Sequence, residues 1–188
     1  MGRNTGSEHL GVTTRARRPQ PIAEIDWDRL RAIRILILDC DGVMTDGRVW
    51  VSPDGTEQKA FSVVDGHGIA MLRESGVLVG MMTRSPAGIP NARAKKLCFD
   101  IVHTGVMDKA AGIVDALDAV GIDGSLAAYM GDDLPDIGAM RQVGVSITVP
   151  TGRPEVLNTA DAVTTAQAGA GAVREVCDAI IRARRHRP

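Results

Sequence analysis

The chain has 188 residues, 44% of them hydrophobic, which is enough for one complete hydrophobic core and short for two. Its formal net charge of -1, with only two tryptophans, one tyrosine and two phenylalanines, argues against broad binding to nucleic acid or to an anionic membrane. Three widely spaced cysteines without a CxxC pair indicate neither a disulfide framework nor a structural zinc site, so we expect a reducing cytoplasm.

Residues 1–25 contain Gly, Thr, Arg and Pro but no apolar segment, so we expect neither a signal peptide nor a transmembrane span there. The prediction for this stretch is a disordered extension. Residues 26–188 are then expected to form a single domain, because neither an internal repeat nor an interdomain linker interrupts them.

From residue 33 onward, short apolar runs alternate with helical segments. The predicted strands span 33–38, 77–82, 101–103, 127–130, 145–149 and 162–163, and the predicted helices span 67–74, 86–97, 109–120, 134–142 and 172–184. Alternation at this spacing predicts right-handed βαβ units and a Rossmann-like α/β fold, with helices on both faces of a parallel sheet. The turn 52–55 between short runs at 48–51 and 57–61 predicts a β-hairpin that projects from the end of the first strand.

Acidic clusters follow two of these strands. Asp39-Cys40-Asp41-Gly42 follows the first strand, and 131–136, with the sequence Gly-Asp-Asp-Leu-Pro-Asp, follows the fourth. Parallel strands deliver such side chains to one crevice at the carboxyl edge of the sheet. So many carboxylates stay ionised together only beside a cation, and Mg²⁺ prefers oxygen ligands. The clusters therefore predict a Mg²⁺ cofactor and phosphoryl chemistry.

The first cluster offers the two groups that phosphate-ester cleavage needs from side chains. Asp39 is predicted to be the nucleophile that forms an aspartyl-phosphate, and Asp41 the general acid and then the base. Residues two apart on a strand point to the same side, which suits this division of roles. A DxDG string alone is also compatible with a surface turn or a fragment of a calcium loop.

The second cluster supplies the rest of the predicted metal site. Asp132 is expected to bind Mg²⁺ together with Asp39 and the backbone carbonyl of Asp41, while Asp133 and Asp136 support the site. The alternative is a capped helix N-terminus, where acidic residues are favourable. Three carboxylates in five residues exceed what capping requires.

Thr83 and Lys109 are predicted to bind the phosphoryl group. Thr83 ends the second strand, where its hydroxyl can donate a hydrogen bond to a phosphoryl oxygen, although an ordinary loop residue is the alternative. Lys109 begins a helix, a position that the macrodipole makes unfavourable for a cation. Neutralising Asp39 and the phosphoryl oxygens would explain that position.

Taken in order, these residues resemble the four motifs of the haloacid dehalogenase superfamily, and the resemblance extends over residues 33–180. In having an aspartate at position 41, the chain resembles the phosphatases and mutases of this superfamily and differs from its P-type ATPases and dehalogenases. Longer strings at 39–47, 59–68 and 169–177 resemble the 3-deoxy-D-manno-octulosonate 8-phosphate phosphatase family.

This second resemblance implies a Mg²⁺-dependent phosphatase of lipopolysaccharide biosynthesis without a separate cap domain. It implies a homotetramer whose hairpins meet centrally and whose subunits help to close one another's active sites. The implied substrate is a phosphorylated 2-keto-3-deoxy sugar acid, either octulosonate 8-phosphate or a nonulosonate 9-phosphate.

The family resemblance also makes six residues candidates for substrate binding, namely Lys59, Asp65, Gly66, His67, Arg84 and Ser85. His67 lies between two glycines in a predicted loop, where a solvated histidine is the alternative. The family usually has Thr-Gly-Arg after the second strand, whereas this chain has Thr83-Arg84-Ser85. The missing glycine and the shifted arginine leave the sugar specificity open.

Other functions remain compatible with the sequence. The chain could be a catalytically weak oligomerisation module of the same fold, a phosphate-accepting receiver domain, or a phosphatase for another small sugar phosphate. Intact Asp39, Asp41, Lys109 and Asp132 argue against the first. The 39/41 aspartate pair and the late Gly-Asp-Asp argue against the second, because receiver domains carry their acidic pair on an earlier strand than the phosphorylated residue.

Overall fold

The computed structural model describes residues 19–186. Within this range the strands are β1 (Gln20–Pro21), β2 (Ile35–Leu38), β3 (Trp50–Val51), β4 (Glu57–Gln58), β5 (Leu78–Met82), β6 (Ile101–His103), β7 (Ala127–Met130), β8 (Val145–Thr148) and β9 (Ala162–Val163). The α-helices of the same range are α1 (Trp27–Ala32), α2 (Val63–Glu74), α3 (Gly88–Lys96), α4 (Lys109–Val120), α5 (Ile137–Met140), α6 (Pro154–Leu157) and α7 (Ala172–Arg185). Every helix among these residues is too short or too polar to span a bilayer.

The described chain forms one seven-stranded sheet in the order β1-β9-β8-β7-β2-β5-β6, and its strand pairs are parallel. β2 lies between β5 and β7, with Ile35 in register with both Leu78 and Ala127. The carboxyl ends of these three central strands therefore meet at one edge of the sheet. The predicted α/β fold with a parallel sheet is confirmed.

The side chains of β2 alternate between two hydrophobic layers. Leu36 and Leu38 pack among the buried residues of α1, α2 and α7, whereas Ile35 and Ile37 pack with those of α4 and α5 on the opposite face. The four residues of β2 are all buried, as expected of a central parallel strand covered on both sides. This double cover fixes the end of β2, and with it Asp39, in a rigid frame.

The predicted hairpin is present, since β3 and β4 pair antiparallel with Trp50 opposite Gln58. Between β2 and β5 the described chain contains the turn at Cys40–Met44, this hairpin and α2. This segment is too short to hold a separate cap domain. Phe61 does not share the exposed surface of the hairpin. It packs against the core, with the Arg93 guanidinium 5.2 Å from its ring centroid.

Regular structure is present before the predicted boundary at residue 26. Gln20 and Pro21 pair with β9, and Ile22 and Ile25 are buried in the core. Burial of these two apolar side chains in the core stabilises the segment, although most of the residues before it are polar. Residues 1–18, the rest of the predicted extension, lie outside the described residues.

Helix α2 begins at Val63, four residues earlier than predicted, and Ser62 caps it by accepting a hydrogen bond from the Asp65 amide. The glycines that suggested a loop are there for close packing. A Cβ at Gly66 would meet Arg93, and one at Gly68 would meet Arg174. His67 is therefore an exposed helical residue and not part of a loop.

Candidate active site

The loop after β2 turns sharply so that both of its aspartates reach the carboxyl edge of the sheet. The Asp39 amide donates to the carbonyl oxygen of Met130, and the backbone is extended at Asp39 before it reverses at Gly42, where φ is +85°. A side chain at Gly42 would be strained by this φ and would also overlap the Asp132 carboxylate. The pairing of β2 with β7 brings the two acidic clusters together, and Gly42 permits their close approach.

Lys109 forms an ion pair with Asp39, the candidate nucleophile. Its Nζ lies 2.6 Å from Asp39 Oδ1 and 2.6 Å from Asp136 Oδ1, and all three side chains are less than a tenth exposed. Asp108 caps α4 by accepting hydrogen bonds from the amides of Ala110 and Ala111. This cap, with its negative charge, offsets the unfavourable position of a cation at the helix start.

Asp136 organises the second cluster. Its Oδ1 accepts hydrogen bonds from Lys109 and from the Tyr129 hydroxyl, and its Oδ2 accepts from the amides of Asp132 and Asp133. Four donors therefore satisfy this carboxylate. Tyr129 was missed in the sequence, because an aromatic residue in an apolar strand gives no sign that its hydroxyl reaches a carboxylate.

Asp133 has the role that the capping alternative describes. Its Oδ1 accepts a hydrogen bond of 2.8 Å from the Leu134 amide, and its side chain is 58% exposed. The two supporting aspartates thus differ, since Asp136 is buried within the site and Asp133 caps the turn at its rim.

The buried carboxylates do not ionise easily without a further cation. Burial raises the pKa of Asp39 to about 6, with Lys109 opposing this increase and Asp136 adding to it. Burial and the charges of Asp39 and Asp136 raise the pKa of Asp132 to about 7. Burial lowers the pKa of Lys109, but the two neighbouring carboxylates more than offset that effect, so its net shift is upward. One lysine is insufficient for three carboxylates.

The same residues fit a divalent cation. Oxygen atoms of Asp39, Asp132 and Asp136 lie within 4.8 Å of one another. The donors described above occupy Asp136, whereas Asp132 Oδ1 is buried and has no hydrogen-bond partner among residues 19–186. An all-oxygen, anionic donor set with an unsatisfied oxygen suits Mg²⁺, and Asp39 and Asp132 are the side chains available to hold it.

Asp41 lies beside a second lysine. Lys59 Nζ is 2.8 Å from Asp41 Oδ2 and 2.7 Å from Oδ1, and the Ser85 hydroxyl donates a hydrogen bond of 2.5 Å to Oδ2. Lys59 also donates to Ser85 Oγ over 3.0 Å. The buried Thr83 accepts a hydrogen bond from the Ser85 amide at its Oγ1, which places both hydroxyls at the end of β5.

A cleft of about 320 Å³ joins these groups. Most of the predicted site residues line it, and the full set of lining residues is Asp39, Asp41, Gly42, Gly47, Thr83, Arg84, Ser85, Lys109, Asp132, Asp133, Pro135 and Asp136. Lys59 reaches it through Asp41. Arg84 is exposed at its rim. The cleft therefore combines carboxylates, hydroxyls and cations around one small volume, as phosphoryl transfer requires.

The structure does not bring Asp65, Gly66 and His67 to this cleft. Asp65 is buried, and its carboxylate accepts hydrogen bonds from the amides of Gly171 and Arg174, at the start of α7. Within the single chain, Asp65 connects α2 to the start of α7. Gly66 allows close packing and His67 is exposed on α2, so the expectation that these three residues bind substrate gains no support from the cleft of a single chain.

Comparisons with known proteins agree with this arrangement. A family model for haloacid dehalogenase-like hydrolases matches residues 69–176. The 3-deoxy-D-manno-octulosonate 8-phosphate phosphatase of Yersinia pestis is 40% identical over 161 residues, which cover 86% of each chain.

Solved structures give the same result. The 3-deoxy-D-manno-octulosonate 8-phosphate phosphatase of Moraxella catarrhalis, in complex with magnesium, phosphate and KDO, is 38% identical with a TM-score of 0.81, over 84% of this chain and 90% of that one. The cobalt-bound Haemophilus influenzae enzyme is 32% identical with a TM-score of 0.80, over 83% and 91%. The chain belongs to the haloacid dehalogenase-like hydrolases and, among them, to the 3-deoxy-D-manno-octulosonate 8-phosphate phosphatase family.

Proposed function

We propose that the protein is a Mg²⁺-dependent phosphomonoesterase that hydrolyses 3-deoxy-D-manno-octulosonate 8-phosphate or a closely related nonulosonate 9-phosphate. The observation that carries this proposal is the meeting of Asp39, Lys109 and Asp132 at the base of a cleft, with Asp41 beside them. These groups correspond to a nucleophile, a phosphoryl-binding cation, a metal ligand and an acid. The names of the Yersinia pestis and Moraxella catarrhalis relatives supply the substrate class.

In the first chemical step, an oxygen of Asp39 forms a bond to phosphorus as the bond between phosphorus and the sugar oxygen breaks. The electron pair of that bond stays on the sugar oxygen, which takes the proton of Asp41 and leaves as the alcohol. In the second step, Asp41 removes a proton from water, and the resulting hydroxide displaces Asp39 from phosphorus. The products are inorganic phosphate and the free sugar acid.

The other cleft residues neutralise and orient the phosphoryl group. Lys109 contributes a positive charge next to Asp39, and Thr83 offers its hydroxyl from the end of β5. Bound Mg²⁺, held by Asp39, Asp132 and the backbone carbonyl of Asp41, would neutralise the remaining charge of the carboxylates and the phosphoryl oxygens. Asp136 keeps Lys109 and the two amides of the second cluster in position.

The sugar acid itself carries a carboxylate, which needs a cation at the mouth of the cleft. Arg84 is exposed at that rim and is the arginine available from the altered Thr83-Arg84-Ser85 sequence. We therefore assign the sugar carboxylate to Arg84. Lys59, by contrast, is engaged by Asp41 and Ser85.

The proposal includes a cytoplasmic homotetramer in which the hairpins meet. Val49, Trp50 and Val51 are 41%, 55% and 65% exposed in the single chain. A two-stranded hairpin with such side chains is marginal in water, and burying them between subunits would stabilise it. A neighbouring subunit could then bring further residues to the open cleft.

The alternatives carry less weight. A module that had lost catalysis would have no need to keep Asp39, Lys109 and Asp136 in a buried ion-paired network beside the unsatisfied carboxylate of Asp132. A receiver domain does not agree with membership of the haloacid dehalogenase-like hydrolases. A phosphatase for another small sugar phosphate differs from the proposal in substrate only.

A phosphate-release screen tests the proposal. Purified protein with Mg²⁺ would be assayed on octulosonate 8-phosphate, nonulosonate 9-phosphates, simple hexose phosphates and p-nitrophenyl phosphate. We expect the highest kcat/KM on one of the two sugar-acid phosphates, and no turnover after treatment with a chelator. A preference for hexose phosphates would contradict the proposed substrate, and full activity without metal would contradict the mechanism.

A further inference from the structure

The side chain of Ser85 forms a short hydrogen bond to Asp41, and the mechanism proposed above gives this bond no role. Its hydroxyl donates to Asp41 Oδ2 over 2.5 Å and accepts from Lys59 Nζ over 3.0 Å. Its amide donates to the Oγ1 of the buried Thr83, which fixes the backbone that carries it. Ser85 is therefore held at one end by the sheet and in contact with the proposed general acid at the other.

We propose that Ser85 is a positioning residue for Asp41, and that it keeps this carboxyl aimed at the oxygen of the leaving group. The inference rests on the proposed function, since it assumes that Asp41 protonates that oxygen. It assigns to Ser85 a role in acid catalysis in place of the substrate contact expected from its position in the motif.

The chemistry of a hydroxyl suits this task. Asp41 alternates between a carboxylic acid and a carboxylate during turnover, so its partner must hold the carboxyl in place in both states. A serine hydroxyl has one donor and two acceptor positions, whereas lysine and arginine side chains only donate. Ser85 accepts from Lys59 and donates to Asp41 Oδ2, an oxygen that can accept whether the carboxyl is ionised or is protonated on its other oxygen.

Lys59 alone would not fix the direction of the carboxyl. Its ammonium lies within 2.8 Å of both Asp41 oxygens and is a point charge with three rotatable donors, so it does not select one of them. An arginine at position 85, as in the family pattern, would add a second cation beside Asp41. With serine there, Asp41 keeps a neutral hydrogen-bond donor at a fixed place, and its proton stays available to the leaving group.

Comparing leaving groups distinguishes a role of Ser85 in acid catalysis from a purely structural role. An alkoxide needs protonation as it leaves, whereas p-nitrophenolate is stable as an anion and needs little help. The value of kcat/KM covers the steps up to phosphoryl transfer, so the later role of Asp41 as a base does not enter. Loss of positioning should therefore lower kcat/KM for an alkyl phosphate and leave that for p-nitrophenyl phosphate nearly unchanged.

The experiment compares wild type, Ser85→Ala, Ser85→Thr and Asp41→Asn as full-length proteins with Mg²⁺, on p-nitrophenyl phosphate and on the sugar phosphate that the wild type hydrolyses fastest. We expect Ser85→Ala to lose about 10-fold in kcat/KM on the sugar phosphate and less than about 2-fold on the aryl phosphate, a fraction of the 10²–10⁴-fold that a general acid contributes. Ser85→Thr keeps the hydroxyl and should stay within about 3-fold of wild type on both substrates. Asp41→Asn should show the same selectivity with a larger loss.

Ser125→Ala is the matched control. Ser125 Oγ also donates to an aspartate, Asp123 Oδ1 over 2.6 Å, but it is exposed on the connection between α4 and β7 and does not line the cleft. Its removal should change neither rate. Equal losses on both substrates in Ser85→Ala, or no loss on either, would overturn the inference about Ser85. The choice of sugar phosphate by the wild type tests the proposed function separately, because the inference uses only the ratio between variant and wild type.

Discussion

Lys109 and Asp39 form a buried ion pair in which Lys109 Nζ lies 2.6 Å from Asp39 Oδ1, although 70 residues separate them in the sequence. Lys109 starts α4 and Asp39 follows β2, so this pair fastens the loop of the nucleophile to a helix on one face of the sheet. Asp136 contacts the same Nζ from the second acidic cluster. One ammonium group therefore joins three segments of the active site.

Replacing Lys109 with methionine should destabilise the protein and abolish its activity. The change keeps most of the side-chain volume but leaves Asp39 and Asp136 buried without a counter-charge, and breaking such a pair costs about 3–5 kcal/mol. Urea unfolding at neutral pH measures this loss. Lys95→Met, at an exposed position on α3, is the control and should change the free energy of unfolding by less than about 0.5 kcal/mol. A Lys109→Met protein as stable as the wild type would mean that the carboxylates find another partner.

The two aspartates of the first cluster should fail in different ways. Asp39→Asn removes the oxygen that attacks phosphorus, so we expect no measurable turnover and no phosphorylated protein. Asp41→Asn removes the acid and base but keeps the nucleophile, so activity should fall about 10²–10⁴-fold. The mass of the acid-quenched protein after mixing with substrate should show a phosphorylated species in Asp41→Asn alone. Near-normal turnover by Asp39→Asn would place the nucleophile elsewhere.

Stability without metal should depend on pH through the buried carboxylates. The folded pKa values of Asp39, about 6, and Asp132, about 7, lie above the ordinary value of 3.8. The folded protein therefore binds protons more tightly than the unfolded chain over this interval. The contribution of these two carboxylates to stability is then largest at low pH and is lost as the pH rises from about 4 to about 7.

Magnesium should remove this loss, because the cation favours the ionised carboxylates. We expect Mg²⁺ to raise the melting temperature much more at pH 8 than at pH 5. Asp132→Asn, which has no charge to ionise, should melt higher than the wild type at pH 8 without metal and should respond weakly to Mg²⁺. Equal stabilisation by Mg²⁺ at both pH values would argue against Asp39 and Asp132 as the ligands.

The succession of strands from residue 33 onward and the position of the acidic clusters could be predicted, because short apolar runs that stop at carboxylates have few other interpretations. β7 was predicted at the observed residues, and β2 was confirmed within a longer predicted run. The meeting of Asp39 with Asp132 followed from the topology of parallel sheets, in which the ends of neighbouring strands share an edge.

Other features depend on tertiary contacts that leave no local pattern. Gly66 and Gly68 suggested a loop around His67, yet both lie inside α2, where glycine allows close packing because a Cβ would meet Arg93 or Arg174. Ile22 stands in a polar segment, and only its packing against the sheet shows that it belongs to the core. The contact between Ser85 and Asp41 joins residues 44 positions apart, and a departure from a family motif does not say what the new residue contacts.

The hairpin provides the last prediction, since assembly and catalysis should depend on it together. Lys59 directly follows β4, and its Nζ lies 2.7 Å from Asp41 Oδ1. A shift of the hairpin would therefore move Lys59 and, through it, alter the position of Asp41, the proposed acid. Burial of Val49, Trp50 and Val51 between subunits would fix the hairpin and, with it, Lys59.

Val49→Asp combined with Val51→Asp should therefore yield smaller species by light scattering, because two carboxylates at a buried interface are costly to desolvate. Turnover should fall far more than the helical signal in circular dichroism, which reports the intact α/β domain. Val114→Asp is the control, since Val114 is as exposed as Val49, at 41%, but lies on α4 away from the hairpin, and we expect it to leave assembly and turnover unchanged. A wild-type protein that remains fully active as a monomer at low concentration would contradict the coupling, because the hairpin would then hold Lys59 in place without a neighbour.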